Sequence, residues 1–519
     1  KTMASTATTA SELITGINDT IRVKTASNSI TPFTHSDLLD NMVRVLSGSS
    51  DTNGVIYVDA DTGVDSGATI GSPQTAFKTI KAARDYAVAS GYTGTTSLIY
   101  VQKGAYSGES YLTYDGNYYF EEGAVVTGFQ GSDAGGTRES VFAGGYGDYP
   151  LTLTEMNVWG NGVFIIPAST DTGSNGWSSW LLNSQIDGAK IYFECKNIFG
   201  YSANLINADG ANGATLTVNV KESIESYQAV GGSNIPNYYT IRPNGANFTL
   251  NTPKFVEQKV GSNCSSLNFR NEHGGFTNIN IGMFDVQSNY EAIRVREEGE
   301  DIYDIRPSIN VNIKTLRGGY RGLNTYNWRE GVDWNFNIDE MFVEDYGVVM
   351  SISEGADINF SYKGNIRSGQ PSIYFNNSNT NSTYTFDGIF TSTGETETVQ
   401  LRNNTSDSRF LLNGVIDNQA TGTTYGGIYI HADAFDDSFG IGGLGDIKIY
   451  GNGPSITTDT GTTVNILGNA WFENAPSSAV TLTGNYVLSG KTHVNELNIA
   501  NVGSGTSVTN LGIDSSGNV

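Results

Sequence analysis

From Val55 onward, apolar and polar residues alternate in short runs: Leu216/Val218/Val220, Ile279/Ile281, Ile309/Val311/Ile313, Trp334/Phe336/Ile338, Ile358/Phe360/Tyr362, Tyr384/Phe386 and Phe410/Leu412. A period of two places one side-chain set on each face of a β-strand. The runs also keep an interval: Asn312 to Asn337 is 25 residues, Phe336 to Phe360 is 24, and Phe360 to Phe386 and Phe386 to Leu412 are 26 each. Such an interval marks stacked repeats, none of which can bury its apolar face alone. It predicts that Phe336, Phe360, Phe386 and Leu412 point inward and stack as like-on-like columns. Between the apolar positions stand Asn219, Asn280, Asn310, Asn312, Asn335, Asn337 and Asn359. Alternation puts these on the outer face or at turns.

Helical periodicity is confined to two places. Thr34-His35-Ser36-Asp37 precedes Leu38, Leu39, Met42, Val43, Val45 and Leu46, which predicts a short amphipathic helix capped by Ser36 or Thr34. A second helix is predicted to open within Pro73–Ile80 and to run to about Ser90, with Phe77, Ile80, Ala83, Ala87 and Val88 on its apolar face and Gly91 as its stop. It lies between two predicted strands, Val55–Asp59 and Ser97–Val101.

The order Ile56-Tyr57-Val58-Asp59, Gly63, Ser72-Pro73, Phe77-Lys78-Thr79-Ile80, Ile99-Tyr100-Val101 and Gly104-Ala105-Tyr106 resembles the opening of pectate-lyase-like right-handed β-helix proteins. The resemblance covers residues 55–107 and implies that the helix plugs the first coil, whose open edge would otherwise template aggregation. One fold hosts many sites, so the resemblance carries no activity with it. The implied architecture is an all-β, right-handed parallel β-helix of about 20–30 residues per coil. Its expected divisions are an attachment segment with a short helix at 1–54, the β-helix at 55–467, and a slender β-rich stem at 468–519.

In the stem, Val480, Leu482, Val487, Leu488, Val494, Leu497, Ile499, Val502, Val508, Leu511 and Ile513 are scattered among Gly, Ser, Thr and Asn. That is too little apolar surface for a monomeric core. The pattern resembles the C-terminal stems of bacteriophage fibres, in which three chains share one core. The ending Asn510–Val519 resembles the segment before a cleavable trimerisation chaperone in such fibres.

Composition narrows the partners. The chain has 519 residues, with 63 Gly, 11 Pro and 16% charged residues, below the roughly 25% of ordinary domains. With 28 Tyr, 23 Phe and 6 Trp it carries more apolar surface than disordered chains do. Lys plus Arg is 29 and Asp plus Glu is 53, a net charge of −24 that disfavours nucleic acid and anionic lipid. Two cysteines, Cys195 and Cys264, are too few for a disulfide framework and read as buried thiols. No apolar run nears the ~18 residues of a membrane span. Lys1 to Ala10 lack the apolar core of a secretory signal.

Serine-hydrolase, P-loop and zinc motifs are not found, and His35, His273, His431 and His493 stand far apart. Asp59-Ala60-Asp61-Thr62-Gly63-Val64-Asp65 has the alternate-oxygen spacing of a calcium loop, with Asp59, Asp61 and Asp65 as ligands. An Asx-turn loop is the competing reading, and otherwise no cofactor is expected. Residues 290–355 concentrate carboxylates and aromatics, and Asp304, Glu330 and Glu354 are 26 and 24 residues apart. One column of the three would bring neighbouring carboxylates to about 4.8 Å, near the separations of glycosidase pairs. These three are therefore candidate catalytic residues. Tyr326, Trp328, Glu330, Asp333 and Trp334 are candidate carbohydrate contacts, rings for sugar faces and carboxylates for hydroxyls. The competing reading is an acidic solvated face balanced by Arg294, Arg296, Arg306, Arg317, Arg321 and Arg329.

Together these expectations describe a phage-type tail fibre or tailspike, a homotrimer in the virion, assembled in the host cytoplasm and binding a host-surface glycan or other receptor. The segment 1–54 would join it to other tail or head proteins. A tailspike that depolymerises capsule or lipopolysaccharide, as a glycosidase or lyase, stays open beside the non-enzymatic fibre.

Overall fold

The computed structural model describes residues 54–488, except 69, 72, 93–96, 130–138, 145–152, 168–178, 185–187, 202–203, 210–212, 228–238, 245–246, 259–264, 270–274, 288–290, 297–307, 327–330, 352–356, 377–380, 403–408, 432–439, 460–463, 475, 478–479 and 483–485. All but the last residue of the expected segment at 1–54, together with Cys264 and the stem beyond Leu488, lie outside the described residues.

Every strand pairing joins parallel neighbours about one coil apart in sequence, for example Ile279↔Val311 and Val311↔Phe336. The chain is a right-handed parallel β-helix, the hand that parallel crossovers adopt almost without exception. Among the described residues it is built from one sheet of 20 strands and one of 12. In the larger sheet each later coil contributes one long strand, such as Asn247–Gln258 or Val332–Val343. The earliest coils show how these arose: Glu155–Gly160 and Val163–Ile166 both pair onto Lys190–Tyr201. A long strand is thus two short strands joined through a bend, and register shifts fall there, as between Asn337 and Glu340. The smaller sheet takes one short strand per coil, such as Arg321–Tyr326 or Ile373–Asn376.

Glycine makes the bend possible in the last coils. Gly364, Gly388 and Gly414 have φ of 134°, 155° and 108°. A Cβ on Gly388 would stand 1.9 Å from the Gly364 carbonyl oxygen, and one on Gly414 would stand 2.0 Å from that of Gly388. Only a residue without Cβ allows the backbones to stack this closely.

The interior is a set of columns. In the smaller sheet Leu267, Ile293, Leu323, Val348, Ile373, Val399, Ile428 and Ile456 stack in register and are fully buried. In the larger sheet one column runs Leu250–Ile279–Val311–Phe336–Tyr362–Phe386–Leu412. Beside it runs Ile309–Trp334–Phe360–Tyr384–Phe410. Phe336, Phe360, Phe386 and Leu412 are thus inward and stacked, in two columns. Phe360 belongs to the second column. The coil step from Phe336 leads to Tyr362, and Phe360 lies two residues short of it. A slip of two residues keeps the face and changes the column. The rings still pack diagonally, Phe336 to Phe360 at 5.7 Å and Phe360 to Phe386 at 5.2 Å.

The first coil is plugged as expected, with a shorter helix. It spans Ile80–Ala89, buries Ile80, Ala83 and Ala87, and leaves Val88 exposed. Thr79 caps it by accepting from the Ala82 N–H at 3.2 Å. The buried Glu109 carboxylate accepts from the N–H groups of Ile80 and Lys81, both at 3.0 Å. Phe77 lies before the helix and bridges the edge strand, its N–H donating to the Tyr57 carbonyl at 2.8 Å. The outer edge of Val55–Val58 is therefore covered rather than open.

At the other end the stacking does not stop at 467. Strand Val464–Phe472 crosses that expected boundary, and Val480–Leu482 and Tyr486–Leu488 pair onto it in parallel. Among the described residues no helix is long and apolar enough to cross a membrane.

Candidate functional site

Of the residues expected to touch carbohydrate or perform chemistry, Asp304, Trp328, Glu330 and Glu354 lie outside the described residues. Tyr326 and Asp333 fall on different sheets. Asp333 faces outward on the larger sheet and accepts from Asn359 Nδ2 at 3.0 Å. Trp334 is the clear correction. Its neighbours Asp333 and Asn335 point outward, so alternation turns the indole into the interior, where it is 0% exposed and stacks on Ile309 and Phe360. It offers no face to a sugar.

Two carboxylates of the Asp59–Asp65 loop, those of Asp59 and Asp65, are engaged by the chain itself. Asp59 accepts from the N–H groups of Asp61 at 2.9 Å and Thr62 at 3.1 Å, and from Thr62 Oγ1 at 2.6 Å. The Thr62 hydroxyl bond leads the causes that hold its carboxyl below the usual range. Asp65 staples the loop to the capping helix through the N–H groups of Lys78 and Thr79, both at 2.9 Å. Among the described residues no three His, Cys, Asp or Glu side chains gather as a metal site.

A different constellation occupies the solvent side of the smaller sheet. The Arg321 guanidinium lies 5.7 Å from the ring centres of both Tyr320 and Tyr346. Tyr346 meets Tyr374 edge-on at 5.4 Å, and the Arg402 guanidinium sits 5.3 Å from the Tyr374 ring centre. One coil further, Tyr429 packs on His431 at 4.5 Å and donates to Asp459 Oδ1 at 2.6 Å. Tyr320 is 45% exposed, and Arg321, Tyr346, Tyr374, Arg402 and Tyr429 are half-buried. The result is a strip of tyrosine rings and guanidinium groups along the helix axis, each presenting one flank to water. The Asp345 charge holds the Tyr320 hydroxyl above its usual range, burial does so for Tyr346, and the bond to Asp459 does so for Tyr429. These hydroxyls therefore remain protonated donors at neutral pH.

Beneath one end of the strip is a buried ionic knot. Glu291 is 0% exposed and accepts from Ser265 Oγ at 3.2 Å, from Arg294 Nε at 2.5 Å, and from Tyr326 Oη and Asn324 Nδ2. Arg321 reaches it at 3.8 Å, and the Arg294 guanidinium lies 5.3 Å from the Tyr326 ring centre. Burial alone would lower the Arg294 pKa; the Glu291 carboxylate overrides it and raises the pKa above its ordinary value. With several donors converging on one carboxylate, Tyr326 and Arg321 are held in fixed orientations at the root of the strip. Tyr326 is thus placed beside the strip as a half-buried residue of this knot.

Tyr346, Tyr374, Arg402 and Tyr429 did not stand out in the sequence, because their neighbours in space are a coil away along the chain. The one signal was an aromatic or arginine recurring in successive strands of the smaller sheet.

No protein-family model matches the chain, and no curated protein matches it in sequence. Among solved structures, the Streptococcus pneumoniae surface protein and adhesin PfbA is similar at 14% identity and a TM-score of 0.33, over 79% of this chain and 94% of that one. A family 28 exopolygalacturonase from Yersinia enterocolitica is similar at 11% identity and a TM-score of 0.26, over 85% of this chain and 77% of that one. The chain's own strand pairing makes it a parallel β-helix.

Proposed function

We propose that this chain is a receptor-binding fibre of the phage tail-fibre or tailspike type, homotrimeric in the virion, and that its tyrosine–arginine strip binds a host-surface glycan. The strip is the observation that carries the reading. Its rings offer flat apolar flanks to sugar C–H faces, while hydroxyls and guanidinium forks offer donors to sugar oxygens. Both are mounted on stacked strands, so little ordering accompanies binding. A net charge of −24 keeps such a particle soluble and repels phosphate polymers.

The experiment is incubation of the purified protein with host-surface polysaccharides, scoring both retention of the polymer and new reducing or unsaturated ends. Retention without new ends, lost in Tyr374→Ala, supports the binding fibre. New ends would move the assignment to a depolymerase. No retention by the intact protein would remove the reading. Assembly is checked separately by light scattering, where three times the 55.6 kDa of one chain is the predicted mass and a single-chain mass contradicts the trimer.

A further inference from the structure

The outer face of the larger sheet carries a second feature, distinct from the strip. Asn219, Asn251, Asn280, Asn312 and Asn337 occupy equivalent positions in five successive coils. Each amide donates to the rung before it: Asn251 to Asn219 at 2.7 Å, Asn280 to Asn251 at 2.8 Å, Asn312 to Asn280 at 3.0 Å, and Asn337 to Asn312 at 3.0 Å. The ladder lines an open groove of about 560 Å³ at the bend of the long strands, together with Lys221, Thr252, Pro253, Gly282, Lys314 and Asp339.

We propose that this groove is a second binding site, for an extended, uncharged linear glycan lying along the helix axis. A ladder bond uses one N–H of each Nδ2 and one lone pair of each Oδ1. Every rung keeps a second donor and a second acceptor. The three lower rungs are half-buried and Asn312 and Asn337 are exposed, so these remaining groups border the groove and solvent. A row of groups that both donate and accept matches hydroxyls, which do the same, better than carboxylates, which only accept.

Charge along the groove favours the same ligand. Lys221 is occupied by Glu194 at 2.9 Å, the Gly160 carbonyl at 2.8 Å and Asn161 Oδ1 at 2.9 Å. Lys314 and Asp339, of opposite sign, stand on adjacent coils at the far end. The middle of the groove is low and smooth. A Cβ on Gly282 would lie 2.5 Å from the Pro253 carbonyl oxygen, so no side chain can rise there. Five rungs at about 4.8 Å per step cover about 19 Å, the length of a short extended oligosaccharide.

The test is titration calorimetry of the full chain with linear hexasaccharides of β-1,4-linked glucose, mannose, galactose and N-acetylglucosamine, with an acidic uronate hexamer alongside. Binding of at least one neutral hexamer is predicted, at least tenfold weaker in Asn280→Ala and Asn312→Ala and unchanged in Asn413→Ala, which lies outside both groove and strip. Melting of each variant is followed in parallel. If no neutral hexamer binds, if the uronate binds better than all of them, or if both asparagine variants melt earlier yet bind equally well, the proposal is overturned. In the last case the ladder is structural only. Because Asn280→Ala and Asn312→Ala alter the groove and spare the strip, failure of one site is told apart from failure of the other.

Discussion

The two sheets enclose one interior yet present different chemistry to solvent. On the smaller sheet the surface is anchored from below: Glu291 and Arg294 are buried, and the exposed flanks of Tyr320, Arg321, Tyr346 and Tyr374 rest against one another above them. On the larger sheet the ladder amides bond mainly to each other at the surface, and the buried Glu194, one coil before Asn219, is paired with Lys221 rather than with a rung. The difference is energetic. Taking charges out of water makes the smaller sheet's surface sensitive to loss of any one partner, whereas an exposed amide that loses its neighbour turns to water instead.

That contrast ranks the expected effects. Glu291→Gln leaves Arg294 buried without its counter-charge, and destabilisation of about 3–5 kcal/mol is predicted from denaturant midpoints. Phe386→Ala, which empties a place in the shared interior, is predicted to lose a similar ~3–5 kcal/mol. If Glu291→Gln proved nearly neutral while Phe386→Ala did not, the knot would be solvated and the contrast between the surfaces would fail. Next comes Tyr374→Ala, with binding of the host glycan weakened by about 2 kcal/mol, roughly thirtyfold, and melting little changed. Asn312→Ala on the larger sheet should lower stability by no more than about 1 kcal/mol, measured the same way as Glu291→Gln. The smallest effect is one of pH. Burial raises the Asp345 pKa, so the folded state binds its proton more tightly than the unfolded state. Stability from that proton is present in acid and is lost as pH rises through the folded pKa; Asp345→Asn should flatten this acid-side slope.

The interior was more legible in the sequence than the surface, for a geometric reason. Inward residues announce themselves by alternation, so Phe336, Phe386 and Leu412 could be placed on their face, and only the column of Phe360 depended on a coil length that alternation does not set. The capping helix was visible through Ile80, Ala83 and Ala87, though Phe77 left it to guard the edge strand. A surface site has no such signal. Side chains that touch on a β-helix come from successive coils, as Tyr346 and Tyr374 do, while a contiguous window such as 290–355 passes through both sheets and the interior. The acids and aromatics of that window therefore sorted onto different faces: Trp334 inside, Asp333 on the larger sheet, Tyr326 beside the strip. The asparagines were rightly turned outward by alternation, but their head-to-tail bonding follows from register, which sequence spacing shows only roughly.

The most direct test of the account is equilibrium binding of the intact protein to cells that carry the proposed surface glycan, compared with a Tyr346→Ala/Tyr374→Ala double variant that melts at the same temperature. The strip predicts saturable binding by the intact protein and a loss of at least thirtyfold in the double variant. Equal binding by the two proteins would contradict it.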